Sequence, residues 1–298
     1  MSATAPRLKR AKTSPDAVLP QETAEVSVSP ALFGKFQRLI HQETGIWLGD
    51  SKTALLCGRL SRRLRALGLP SLDQYYDLVT QPDQQGERVA MIDAITTNET
   101  RFFRDPRHFE FLEQRVIPRW RAESRKTIRL WSAGCSSGEE PYSLAMLLAR
   151  HLPRDQGWNV TILATDISTR MLERARLGIY SLTRSGDIPQ PLLKDWMLKG
   201  FAKYEGQMRV IPEIQAMVDF ERSNLAQGPY PPEGHFDVIF CRNVLIYFDP
   251  QSKQRAIERL TRCLARNGFL FVGQAENLSS VNSQLKSLAP AVYARTGE

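Results

Sequence analysis

From residue 128 onward the chain alternates short apolar runs with amphipathic stretches, and no other feature restricts its fold as much. The runs are 128–133 (IRLWSA), 160–166 (VTILATD), 218–225 (VDFERSNL), 236–243 (FDVIFCRN) and 269–274 (FLFVGQ). Helices are predicted at 139–151, at 168–180, and from a cap at Asp249 and Pro250 to a stop at Gly268. Near-continuous apolar strands separated by helices bury both faces only in a mostly parallel sheet between helical layers. The expected class is therefore α/β, with a Rossmann-like sheet over 127–298. The interval 181–217 is far longer than a strand–helix connection needs. It predicts an inserted small β-containing subdomain, with a helix near 192–199 and a hairpin turning at Glu205 and Gly206.

An all-α domain is expected ahead of the sheet, over 29–95. Ser29 and Pro30 make a helix start, Phe33, Phe36, Leu39 and Ile40 recur at helical spacing, and Gly45 is a stop. A second helix over 51–67 places Leu56, Leu60, Leu64 and Leu67 on one face. Ser71 and Gln74 open a third, and Val89, Ile92 and Ile95 mark a fourth. Residues 1–28 show no hydrophobic period and read as a disordered tail, while 96–126 read as a linker and a connecting helix opened by Asp105 and Pro106.

Of the net charge of +8, residues 1–70 carry eleven Lys or Arg against five Asp or Glu, so an anionic partner would meet this end. No run approaches the ~18 apolar residues of a membrane span, and the first residues hold no apolar signal segment, so a cytoplasmic protein without membrane insertion is expected. Cys57, Cys135, Cys241 and Cys263 form no C-x-x-C pair, which predicts reduced thiols and no structural zinc.

In an open α/β sheet, ligands bind beyond the carboxyl ends of the strands. The first such loop, Trp131 to Ser143 (WSAGCSSGEEPYS), lacks the Gly-Lys-Ser/Thr of a phosphate loop. A dinucleotide fingerprint would need glycines at 134, 136 and 139, and only Gly134 is one. Glu139 and Glu140 stand where a pyrophosphate would have to bind, so a cation without phosphate is the better guest. S-adenosylmethionine, with its ammonium and sulfonium, is such a ligand, although the glutamates would equally complement a helix dipole. Asp166 at the second strand end suits ribose hydroxyls or a helix cap. Asn224 with Leu225 and Arg242 with Asn243 reach the same edge.

Four stretches, Thr96 to Phe109 (TTNETRFFRDPRHF), Trp131 to Ala145, Ser223 to Leu225 (SNL) and Phe236 to Phe248 (FDVIFCRNVLIYF), together resemble the chemotaxis receptor methyltransferase family, CheR. The resemblance covers about residues 30–295. It implies a class I methyltransferase sheet that transfers a methyl group from S-adenosyl-L-methionine to chemoreceptor glutamates, leaving S-adenosyl-L-homocysteine and a methyl ester. It further implies cofactor contacts from Asn98, Thr100, Arg104, Glu140, Asp166, Asn224, Leu225, Arg242 and Asn243. Glu140 is preferred to Glu139 because it precedes the motif's proline. In some members the insertion docks a receptor carboxyl-terminal peptide, a further expected partner beside the receptors' cytoplasmic domains.

A glutamate carboxylate, ionised above a pKa near ~4.3, needs no general base and no metal to attack a methyl group. Catalysis then rests on orientation, for which Arg104 and Tyr247 are the expected carboxylate-holding groups. On the second helix, at ~100° per residue, Lys52, Arg59, Arg62 and Arg63 fall in one arc of roughly 100°, a stripe suited to an acidic helical bundle. The same stripe would serve as a plain solvated face, or bind phosphates in a nucleic-acid methyltransferase. No aromatic residues interleave with these arginines, which disfavours nucleic acid as partner. A nucleoside-binding adaptor without catalysis is the remaining alternative.

Overall fold

The computed structural model describes residues 27–123, 125–276, 278 and 284–296. Of the tail expected to be disordered, residues 1–26 lie outside this range. Helices α1 (Pro30–Thr44), α2 (Thr53–Leu67), α3 (Leu72–Val79) and α4 (Gln85–Ile95) form the amino-terminal domain. Two predicted caps are present: the Ser29 hydroxyl accepts from the Leu32 amide at 3.2 Å, and that of Ser71 from the Gln74 amide at 3.3 Å. Phe33, Phe36, Ile40, Leu56, Leu60, Leu64, Tyr75 and Met91 share one core. Each such aliphatic or phenyl side chain contributes about 1.5–3 kcal/mol of burial. The second helix starts later than predicted because residues 50–52 form a tight 3-10 turn first.

The linker leads into α5 (Pro106–Phe111), a π turn at Leu112–Val116, and α6 (Ile117–Ala122). Asp105 does not cap this helix as predicted: its backbone is left-handed at φ 53° and its carboxylate is bound to Arg242.

The larger domain runs β1 (Thr127–Ala133), α7 (Glu139–His151), β2 (Asn159–Asp166), α8 (Thr169–Leu177), β3 (Ile179–Ser181), α9 (Gln190–Trp196), β4 (Met197–Lys199), β5 (Gln207–Val210), α10 (Pro212–Gln215), β6 (Val218–Arg222), β7 (Phe236–Cys241), α11 (Pro250–Cys263), β8 (Leu264–Val272), β9 (Leu285–Ala289) and β10 (Val292–Arg295). Its main sheet has the order β6-β2-β1-β7-β8-β10-β9, parallel except for β10, which runs antiparallel to both its neighbours β8 and β9. Strand residues alternate between two buried faces. Ile128, Leu130, Val238, Phe240, Phe269 and Phe271 pack toward α7 and the connecting helix, and Trp131, Ala133, Ile239, Cys241, Leu270 and Val272 toward α11.

The α/β class is borne out, with differences at element ends. The helix predicted to reach Tyr180 stops at Leu177, where Gly178 takes a left-handed cap and the chain turns into β3. The helix predicted to reach Gly268 stops at Cys263, because 264–272 pair with β7. The insertion is a separate sheet of order β3-β5-β4 beside α9, with its hairpin turning through 200–206. The β9–β10 hairpin was not anticipated. Among the described residues no helix is long and apolar enough to cross a membrane.

Candidate active site

The carboxyl ends of β1, β2, β6 and β7 open into one crevice, roofed by the linker, α2 and the loop after α1. It gathers Asn98, Thr100, Arg104, Glu140, Asp166, Asn224, Leu225, Arg242, Asn243 and Tyr247, with Lys52 and Arg59 of the helical domain. Arg62 and Arg63 are not part of it. Residues 134–138 form the tight turn that brings backbone to the crevice wall. Gly134 and Gly138 have φ of 86° and 93°, and a Cβ at residue 134 would collide with the Val244 side chain.

Asp166 is buried, and its two oxygens accept from the Ser136 and Ser168 amides, each at 2.8 Å. Burial pushes its carboxyl above the ordinary carboxylate pKa, while those amides hold it back. Ser168 takes the helix cap, with its hydroxyl accepting from the Met171 amide, so Asp166 is not needed there. Glu140 accepts from the Ser132 hydroxyl at 2.7 Å and from Arg242 at 3.2 Å. Burial raises its pKa too, against the pull of Arg242. Glu139 instead turns out of the crevice toward Arg184 of the insertion, at 2.6 Å. The two adjacent glutamates therefore have different jobs.

Arg242 is the hub of this floor. Its side chain is 2% exposed and ion-pairs with Asp105 at 2.6 Å and Glu140 at 3.2 Å. It also donates to the Arg104 carbonyl at 2.5 Å, which ties the linker to the end of β7. Burial works against Asp105, but the Arg242 guanidinium holds its carboxyl below the usual range. Sequence reasoning missed Asp105 as a site component, since an acidic residue before Pro106 reads first as a helix cap.

The roof is joined to the floor by hydrogen bonds to main-chain atoms. The Asn224 side-chain amide donates to the Glu43 carbonyl at 2.7 Å, the Ser136 hydroxyl to the Asn98 carbonyl at 2.9 Å, and the Trp47 amide to the Tyr247 carbonyl at 2.9 Å. Arg59 donates to the Ile95 carbonyl and to the Thr97 hydroxyl, and Tyr247 and Arg170 act on it electrostatically. Arg63 forms a two-pronged ion pair with Glu87, at 2.9 and 2.5 Å, so its charge is already matched within the helical domain. Lys52 and Arg62 are exposed.

S-adenosylmethionine fits this lining. Buried carboxylates suit its positive charges, and the buried Asn243 side-chain oxygen has no partner among the described residues, leaving an acceptor for a ligand N–H or O–H.

Beneath the hub, His108 lies against Phe240 and Phe271, with ring centroids at 6.4 and 5.6 Å. Burial, then the Arg242 guanidinium, depress its pKa to about 4. The unfolded imidazole titrates near ~6.5, so the unfolded chain binds more protons between roughly pH 4 and 6.5. Stability should therefore be fully present above that window and fall by about 2–3 kcal/mol as pH drops through it. Urea unfolding at pH 7.5 and 4.5 checks this: His108→Gln should flatten the pH dependence relative to wild type, and parallel curves would refute it.

Comparison with known families agrees with this geometry. Residues 98–293 match the family described as CheR methyltransferase, SAM binding domain, and residues 31–96 that described as CheR methyltransferase, all-alpha domain. The chain is 39% identical over 278 residues to a chemotaxis protein methyltransferase of Escherichia coli (strain K12), covering 93% of this chain and 95% of the relative. It is 38% identical over 262 residues to chemotaxis protein methyltransferase 2 of Pseudomonas aeruginosa, covering 88% of this chain and 91% of that protein. With both parts matched in the same order along almost its whole described length, the chain belongs to the CheR methyltransferase family, its S-adenosylmethionine-binding domain preceded by the all-α domain.

Proposed function

We propose that this protein methylates glutamate side chains on the cytoplasmic domains of chemoreceptors, using S-adenosyl-L-methionine and releasing S-adenosyl-L-homocysteine. The observation that carries this reading is the single crevice in which buried carboxylates face half-buried Arg59, Arg104 and Tyr247. Bound there, S-adenosylmethionine supplies an electrophilic methyl group on a sulfonium. Arg104, whose guanidinium also donates to the Glu99 carbonyl at 3.1 Å, grips the incoming carboxylate, and the Tyr247 hydroxyl holds its second oxygen. No side chain needs to take a proton, because a glutamate with a pKa near ~4.3 arrives ionised. For the same reason no metal is invoked. Orientation alone can supply up to ~7–11 kcal/mol. Asn98, Thr100, Arg104, Glu140, Asp166, Asn224, Leu225, Arg242 and Asn243 are the proposed cofactor-holding residues.

Two surfaces complete the reading. Lys52, Arg59 and Arg62 form the basic approach to the crevice for an acidic helical bundle, whereas Arg63 is spent on Glu87. On the insertion, β4 is an edge strand beside exposed Leu198, Phe201 and Tyr204, which suits a receptor carboxyl-terminal peptide added as a further strand.

Labelled S-adenosylmethionine incubated with the protein and a receptor cytoplasmic fragment should give base-labile label on the receptor. Label on nucleic acid, or binding without turnover, would reject the assignment. Raising the salt should weaken receptor methylation, because the rim charges act over a Debye length of only ~8 Å at physiological ionic strength. Arg62→Glu should raise the KM for receptor about 3- to 10-fold, as expected for the loss of a rim charge worth roughly 1 kcal/mol, with cofactor affinity unchanged. An unchanged KM and salt dependence would remove the docking role.

A further inference from the structure

We propose that Glu276 is the positioning residue that sets the Asn243–Tyr247 turn, and through it the Tyr247 hydroxyl, for methyl transfer. The inference rests on the function proposed above. Glu276 is 1% exposed and lies just past β8, at the same edge of the sheet as the crevice. One of its carboxylate oxygens accepts from the Asn243 amide at 3.0 Å and the Gly273 amide at 2.6 Å, and the other from the Ile246 amide at 3.1 Å. It therefore fastens the ends of β7 and β8 together and clamps the 3-10 turn Leu245–Tyr247 from beneath.

The clamp fixes the conformation of this turn. The turn opens with Asn243 in the left-handed region at φ 57°, which asparagine enters more readily than most non-glycine residues but which still fixes the turn only if its amide is held. Three backbone N–H groups converging on one buried carboxylate supply that constraint. Charge-assisted bonds of this type are about twice as strong as neutral ones. The seat is also closely fitted: a Cβ on Gly273 would stand 2.8 Å from both the Asn243 side-chain nitrogen and a Glu276 carboxylate oxygen. Glu276 does not line the crevice, so its influence on the reaction passes through the turn.

Glu276→Gln tests the idea, because the amide turns one acceptor into a donor facing backbone donors. Two readouts apply. Amide hydrogen exchange on the full-length protein should show lost protection at Asn243, Ile246 and Gly273, whatever the substrate turns out to be. In receptor methylation, Glu276→Gln should lower kcat about 10-fold, or about 1.4 kcal/mol in the barrier, but less than about 2-fold in a Tyr247→Phe background. Gly273→Ala, which crowds the same seat, should show the same non-additivity, and melting temperatures of all variants identify any that fail to fold. Equal losses in both backgrounds would overturn the positioning role, and so would unchanged protection at the three amides. Absence of methyl transfer by the wild-type protein would instead overturn the proposed function, and the exchange result would then decide the clamp on its own.

Discussion

Arg242→Ala is expected to cost roughly 3–5 kcal/mol of folding stability, the scale for breaking a buried ion pair by removing one partner. The guanidinium is 2% exposed and answers two carboxylates, Asp105 and Glu140, whose side chains are only 26% and 13% exposed. Removing it leaves both without their cation. It also cuts the bond to the Arg104 carbonyl that holds the linker against the sheet. Cofactor affinity should fall by at least 10-fold, since Glu140 and the linker contacts shift together. Arg242→Lys should recover only part of either loss, because a point ammonium cannot span two carboxylates and a carbonyl as a planar fork does. Thermal unfolding and titration calorimetry read the two effects. A melting temperature within about 2 °C of wild type would contradict the burial argument, since a loss of this size shifts a domain by roughly 6 °C or more.

Arg104→Ala should lower kcat for receptor methylation about 100- to 1,000-fold while cofactor binding weakens far less. The scale is that of removing one preorganised charged or polar contact to the reacting group. Tyr247→Phe should lower kcat by about 10- to 100-fold, since a neutral hydroxyl contributes less than a guanidinium. Both side chains are half-buried in the crevice, and among the hydrogen bonds found for Arg104 the guanidinium uses one donor on Glu99. Single-turnover methylation at saturating cofactor separates the step from binding. Wild-type turnover in both variants would remove their assigned roles.

Strand and helix alternation was legible because β7 is buried on both faces throughout, and β1, β2 and β8 toward their carboxyl ends, which writes near-continuous apolar runs. The β9–β10 hairpin was not, since it lies at the sheet's outer end, where β9 is largely exposed and its apolar pattern is diluted. Asn98, Thr100, Arg104, Glu140, Asp166 and Tyr247 could be placed near one another by their strand ends and by family resemblance. Their partners could not. That Asp105 answers Arg242, that Arg63 is consumed by Glu87, and that Glu139 faces Arg184 depend on side-chain directions set by packing across the chain. Glu276 was invisible for a similar reason: a lone glutamate beyond a strand gives no periodic signal, and its three donors come from two different loops.

The bonds that hold the helical domain and linker over the crevice include ones that end on the carbonyls of residues 43 and 98 or run from the Trp47 amide, beside two side-chain pairs, His41 with Asp249 at 2.7 Å and Asp93 with Thr169 at 2.6 Å. None of these contacts uses Lys52 or Arg62, so the attachment does not depend on the identity of those outward side chains. Lys52 and Arg62 can thus be exchanged for other charges or shapes with the joint between the domains kept intact. The roof works like a faceplate fixed from behind: recognition of a new acidic or neutral target can be written on its outer surface without redesigning how it is mounted.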